Sequence, residues 1–112
     1  MDERQWAIVA VDALARGEVV QVRPRGHSMR GRIEDGSRVT LAPCLPDDLA
    51  VGDVVLARVR GWLLVLHQIV DIQAGRFQIG TTSGRIDGWV SAADIVGRVI
   101  AVEESDESFH EI

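Results

Sequence analysis

The sequence predicts a mainly β fold: a coiled antiparallel sheet or partial barrel with one N-terminal helix. Three observations carry this reading. Short β-branched runs recur at close spacing, separated by Gly, Pro and Asp turn residues, as antiparallel strands require. Only the opening segment has helical periodicity. The chain of 112 residues, 46% hydrophobic and 26% charged, suits one domain with a real core, and it contains no repeat and no linker.

The helix is expected from Asp2 to Ala15. Asp2 followed by Gln5 fits an N-cap with its reciprocal partner. Trp6, Val9, Ala10, Ala13 and Leu14 fall on one face, and Gly17 stands where a C-terminal cap belongs. Glu18 to Arg23 then reads as a strand, residues 24–36 as a turn and short helix, Ser37 to Pro43 as a second strand, and Leu45 to Val51 as a loop. Asp53 to Arg60 is the next strand, and Gly61 turns the chain into a long strand, Trp62 to Ile72. That strand is apolar on both rows, Trp62, Leu64, Leu66, Val70 and Ile72 against Leu63, Val65, His67 and Ile69, which marks it as central. Ala74-Gly75 turns into Arg76 to Ile79, and Gly80 to Gly88 reads as a loop rich in Thr, Ser and Gly. Ser91 with Asp94 caps a single helical turn, and Ile95 to Val102 is the last strand. The domain is thus expected over residues 1–102, followed by an acidic, disordered tail over 103–112.

Charge narrows the function classes. All 12 basic residues are arginine, and five of the 17 acids (Glu103, Glu104, Asp106, Glu107 and Glu111) lie in the tail. The body is therefore balanced, which argues against a nucleic-acid binder, whose phosphate contacts need a positive excess. The one cysteine, Cys44, excludes an internal disulfide and suits a reducing cytoplasm. No apolar run has membrane-spanning length and no signal peptide opens the chain, so the expectation is a soluble, cytoplasmic protein. The scattered histidines have no ligand spacing, so neither metal nor cofactor is expected.

The stretch Arg23-Pro24-Arg25-Gly26-His27-Ser28-Met29 concentrates the chemistry. Pro24 stops strand pairing and Gly26 permits a sharp bend, which leaves Ser28 at a strand end among Arg23, Arg25, Arg30 and Arg32. A serine hydroxyl needs a base to become a nucleophile. Lysine is absent, His110 lies in the tail, and His27 adjoins Ser28 and so points to the other side of an extended chain. His67 is then the best candidate base. Asp87 is the first choice to orient it and Asp71 the second; Asp71 lies roughly 13 Å from His67 by strand rise. Amides of the Gly26–Ser28 bend are candidates for an oxyanion site. On residue types alone, Ser28 also reads as a turn residue, His67 as a core histidine and Asp87 as a turn signal.

An ordered series of segments carries a resemblance. Gly26-His27-Ser28-Met29, Ile33-Glu34-Asp35-Gly36, Val51-Gly52-Asp53-Val54-Val55, Leu66-His67-Gln68-Ile69-Val70, Ile79-Gly80-Thr81-Thr82, Asp87 and Ile95-Val96-Gly97-Arg98-Val99 follow one another over Val19 to Val102. In order and spacing the series resembles the superfamily that joins type I signal peptidases with the LexA-like self-cleaving repressors. The resemblance implies a coiled antiparallel β fold with Ser28 as nucleophile. It puts His67 at the general-base position, where most members carry Lys and a signal-peptidase subgroup carries His, and Asp87 at the assisting aspartate. Gly31, Gly36-Ser37, Gln68 and Gly80-Thr81-Thr82 depart from the family's pattern. The expectation is a stand-alone domain, without a signal peptidase's membrane anchor or a repressor's DNA-binding domain.

The function expected is a soluble serine peptidase-like domain acting on a specific protein or on its own terminus. Gly26, His27, Met29, Arg25 and Arg30 are the candidate substrate-binding residues, and the edge near Val19–Arg23 is a candidate for pairing with an extended peptide. The acidic tail, lying across the arginine rim, would be a self-substrate or plug; otherwise it is a solubilising tail. The alternative function is a non-catalytic descendant of the fold that binds a peptide or regulatory partner.

Overall fold

The computed structural model describes residues 5–104. It contains α1 (Gln5–Ala15), β1 (Val20–Val22), β2 (Arg38–Ala42), β3 (Val54–Val59), β4 (Leu63–Gln73), β5 (Arg76–Gly80), β6 (Ile86–Val90) and β7 (Ile95–Glu103), with short 3-10 turns at Pro46–Asp48 and Ala92–Asp94. All the strands pair antiparallel in one sheet of order β1-β2-β7-β3-β4-β5-β6, which does not close into a barrel. The chain is mainly β with one N-terminal helix. Strands β3 to β6 form a meander, and β7 returns to lie between β2 and β3.

The helix ends in a Schellman motif. Gly17, at φ 78°, donates its amide to Leu14 O at 3.0 Å, and Glu18 donates to Ala13 O at 3.0 Å. Ala7, Ala10, Ala13 and Leu14 are buried, whereas Val9 is half exposed. The expected apolar face is therefore rotated, because small alanines let the helix settle closely onto the sheet. Gly97 of β7 allows the same closeness: a Cβ there would lie 2.8 Å from Leu14 Cδ1. The expected cap at Asp2 lies outside the described residues.

Strand alternation sorts the core into two clusters. Val54 and Leu56 of β3 join Ala10, Leu14, Val39 and Leu41, while Val55, Ala57 and Val59 join Val65, Ile69, Phe77 and Ile79. Fully burying one such Leu or Ile contributes about 1.5–3 kcal/mol. The middle strand is β3, not β4, and five of its six residues are buried. Apolar residues on both rows of β4 marked an interior strand, but its position in the sheet was decided by where β7 inserts.

Bulges account for two further differences. Ile69 pairs with Ile79 and Asp71 with Gln78, so Val70 is an extra residue, and Ile72 moves to the face of Ile69 instead of the row of Leu64 and Leu66. Trp62, expected in that row, precedes β4 and is 71% exposed. The loop expected over Gly80–Gly88 contains the start of β6. Its Gly and Ser content concealed a strand whose pairing with β5 is long-range information. No α-helix forms over residues 24–36: the chain makes successive turns there, one closed by the Ile33 amide donating to Met29 O at 2.8 Å and one by the Ser37 amide donating to Glu34 O at 3.0 Å. At the other end, β7 continues to Glu103, where Arg38 Nη1 meets Glu103 Oε1 at 3.0 Å.

Candidate active site

The bend that presents Ser28 is shaped by Gly26, at φ 121°. The Gly26 amide donates to Asp35 Oδ1 at 2.8 Å, and Arg25 Nε donates to the same oxygen at 3.2 Å. This amide, and then the Arg25 and His27 charges, hold the Asp35 carboxyl below the usual carboxylate range. A second set of ties comes from the segment after β5. The Thr82 amide donates to Ser28 O at 3.3 Å, and Thr82 Oγ1 donates to Arg30 O at 2.9 Å. Behind it, Arg32 Nη1 donates to Gly52 O at 2.6 Å and Gln68 Oε1 at 3.1 Å, and Gln68 Nε2 donates to Thr81 O at 3.4 Å. Ser28 itself is exposed.

His67 projects from β4 and is buried, with a side-chain exposure of 8% against 10% for Asp87. Its Nδ1 lies 2.6 Å from Asp87 Oδ2, and its Nε2 lies 3.0 Å from Ser28 Oγ. An ionised carboxylate only accepts, so Nδ1 carries the proton and donates it to Asp87. That tautomer turns the Nε2 lone pair toward Ser28, whose hydroxyl donates to it. The three side chains thus form a hydrogen-bonded chain from hydroxyl to imidazole to carboxylate.

The reach of Asp87 has a local cause. Ile79 pairs with Gly88 and Gly80 with Ile86, so Asp87 is the extra residue of a β-bulge, which re-aims its side chain from the regular alternation of β6. Gly80 is constrained at the same place, since a Cβ there would stand 2.8 Å from Arg85 O. Asp71 is engaged elsewhere, accepting from the Ile72 amide at 2.8 Å and from Gln73 Nε2 at 2.9 Å.

Ser28, His67 and Asp87 open onto a cleft of about 460 Å³. Arg25, Gly26 and Met29 line it, whereas His27 and Arg30 are exposed and outside the lining. Of the expected arginine rim, Arg23 donates to Gly36 O, Arg32 binds Gly52 and Gln68, and only Arg25 lines the cleft. The other cleft arginines are Arg60 and Arg85, which sequence reasoning missed together with Trp6 and Thr82. Arg60 was read as the end of a strand before the Gly61 turn and Trp6 as part of a helix face; neither pattern carries information about which cavity a side chain borders. A tail docked across the rim concerns residues 105–112, outside the described residues.

Cys44 is partly buried, and burial pushes its thiol up. Among the described residues no three His, Cys, Asp or Glu side chains group to hold a metal ion, and no helix is long and apolar enough to cross a membrane. No protein-family model matches this chain, and no curated protein matches it.

Proposed function

We propose that this chain is a serine peptidase acting on an extended peptide or protein segment, with Ser28 as nucleophile, His67 as general base and acid, and Asp87 as the group that holds the imidazole. The observation that carries this reading is the continuous pair of contacts on His67, 3.0 Å to Ser28 Oγ and 2.6 Å to Asp87 Oδ2, opening on a cleft. Proximity and tautomer are what a hydroxyl needs to be activated near neutral pH.

In the proposed reaction Ser28 Oγ attacks the scissile carbonyl carbon as His67 Nε2 takes the hydroxyl proton. Asp87 stabilises the imidazolium that results. The Gly26 amide is committed to Asp35, so the amides of His27 and Ser28 are the candidates to donate to the oxyanion. His67 then delivers its proton to the leaving amine, the C–N bond breaks, and an acyl-Ser28 ester remains. Water, deprotonated by His67, attacks the ester and releases the carboxylate product and the Ser28 hydroxyl.

A fluorophosphonate probe tests the reading. Wild type is expected to be labelled at Ser28, Ser28→Ala not at all, and His67→Ala at least about 100-fold more slowly. Absence of labelling in wild type, or equal labelling of Ser28→Ala, would overturn it.

A further inference from the structure

The cleft carries charge that the proposed bond cleavage does not use. Arg60 and Arg85 both line it, and among the described residues neither guanidinium makes an ion pair or a side-chain hydrogen bond. Among the described residues, Arg16, Arg25, Arg38 and Arg98 meet carboxylates, and Arg23 and Arg32 meet carbonyl oxygens, while Arg30, Arg58 and Arg76, like Arg60 and Arg85, make no ion pair but lie outside the cleft lining. What distinguishes Arg60 and Arg85 is their shared cavity: of the other charged residues that line it, Arg25 pairs with Asp35, Glu34 accepts from the Gly31 amide and Asp87 faces His67, which leaves the two arginines without a carboxylate partner.

The backbone at Arg60 is a second, independent observation. The Trp62 amide donates to Val59 O at 3.2 Å, closing a β-turn whose central residues Arg60 and Gly61 have φ of 56° and 80°. Positive φ at both central positions defines a type I′ turn, where Asn, Asp or Gly belongs at the first position and a long side chain is disfavoured. An arginine there is unfavourable for the hairpin, and this one lines the cleft.

We propose that the cleft recognises an acidic peptide segment, an Asp or Glu carboxylate near the scissile bond being bound by Arg60 and Arg85. The fork of a guanidinium matches a carboxylate bidentately. The apolar lining from Trp6, Met29, Leu64 and Leu66 suits peptide side chains flanking the acid better than a nucleic-acid backbone. This rests on the peptidase reading for the site's location, but the test separates the two.

The probes are fluorescein-labelled decapeptides of one sequence, with Glu or Gln at a single varied position walked along the chain. Ser28→Ala protein allows binding to be read without turnover. At one or two positions the Glu peptide is expected to bind about tenfold more tightly than the Gln peptide. That preference should vanish in Ser28→Ala carrying Arg60→Asn and Arg85→Gln. Arg60→Asn relieves the type I′ turn, so lost preference there is not lost folding, and unchanged circular dichroism checks this. Equal binding of Glu and Gln peptides at every position, or a preference that survives both substitutions, overturns the proposal. Tighter binding of a single-stranded oligonucleotide than of any Glu peptide also overturns it. Wild type incubated with the best binder reports on the peptidase reading separately. Binding without Ser28-dependent cleavage removes the peptidase and leaves acidic recognition standing.

Discussion

Ser28 stands on an exposed bend, whereas His67 projects from an interior strand, β4, among buried residues, and Asp87 reaches it from a bulge in the edge strand β6. The two halves of the site are held by different means. Around Ser28 the ties are polar and individually small: Asp35 to the Gly26 amide, Thr82 to Ser28 O and Arg30 O, Arg32 to Gly52 O and Gln68. Around His67, flanking strands and the fully buried Val55, Ile69 and Ile79 do the holding. The difference teaches that His67 is set by packing and Asp87 by strand pairing and a bulge, while Ser28 is set by a few replaceable hydrogen bonds. Breaking either half should therefore leave different signatures.

The largest effect is expected at Asp87. Asp87→Asn turns an acceptor into a group that can face Nδ1 with its amide, which favours the imidazole tautomer protonated on Nε2 and removes the acceptor for Ser28. Turnover of a cleaved peptide should fall by about 10³–10⁴-fold while thermal unfolding stays close to wild type. A fall of less than tenfold would mean that the carboxylate does not select the tautomer.

Gly97→Ala probes the other core cluster, where α1 packs on the sheet away from His67, through stability. Its Cβ would meet Leu14 Cδ1 at 2.8 Å and Ala42 O at 3.1 Å. Urea unfolding should show a loss of about 1–3 kcal/mol as α1 is lifted from β7. Activity at temperatures well below unfolding should change little, since neither group touches the cleft.

Thr82→Val probes the polar half. It removes the hydroxyl that donates to Arg30 O and, at 3.4 Å, to Ser28 O, but keeps the backbone N–H hydrogen bond to Ser28 O. A cost of about 1 kcal/mol in positioning should appear as a severalfold drop in kcat and in fluorophosphonate labelling, with KM unchanged. Thr82→Ser should restore most of it. If KM moves and kcat does not, Thr82 touches substrate and does not hold the bend.

The smallest effect is expected at Asp35. Its folded carboxyl titrates below the ordinary range, chiefly through the Gly26 amide. The stability it contributes is present above the unfolded carboxylate pKa and is lost as pH falls through the lowered folded value. Asp35→Asn should thus unfold slightly more readily than wild type near neutral pH, and acid titrations of the two should converge below that lowered value. A difference that persists undiminished at the acid end would assign the effect to packing instead of charge.

How much was legible differs between the same two halves. Pro24 and Gly26 announce the Ser28 bend in local sequence, because φ restriction and φ freedom are properties of single residues. His67 was reachable by elimination among three histidines and no lysine. Asp87 was reachable as a residue, but its place was read as a loop and it lies on β6. The bulge that turns it toward His67 exists only once β5 and β6 have paired.

By itself the sequence determined the antiparallel β class, the single helix and its Gly17 stop, most strand positions, and the three residues whose chemistry fits together. Hydrophobic alternation, turn chemistry and residue type are local and survive without a partner strand. Only the tertiary structure decided that β7 separates β2 from β3, that Val70 and Asp87 are bulged, and that Arg60 and Arg85 border one cleft while Arg30 does not. Those outcomes depend on which distant segments pair and in what register, and a shift of one residue sends a side chain to the opposite face.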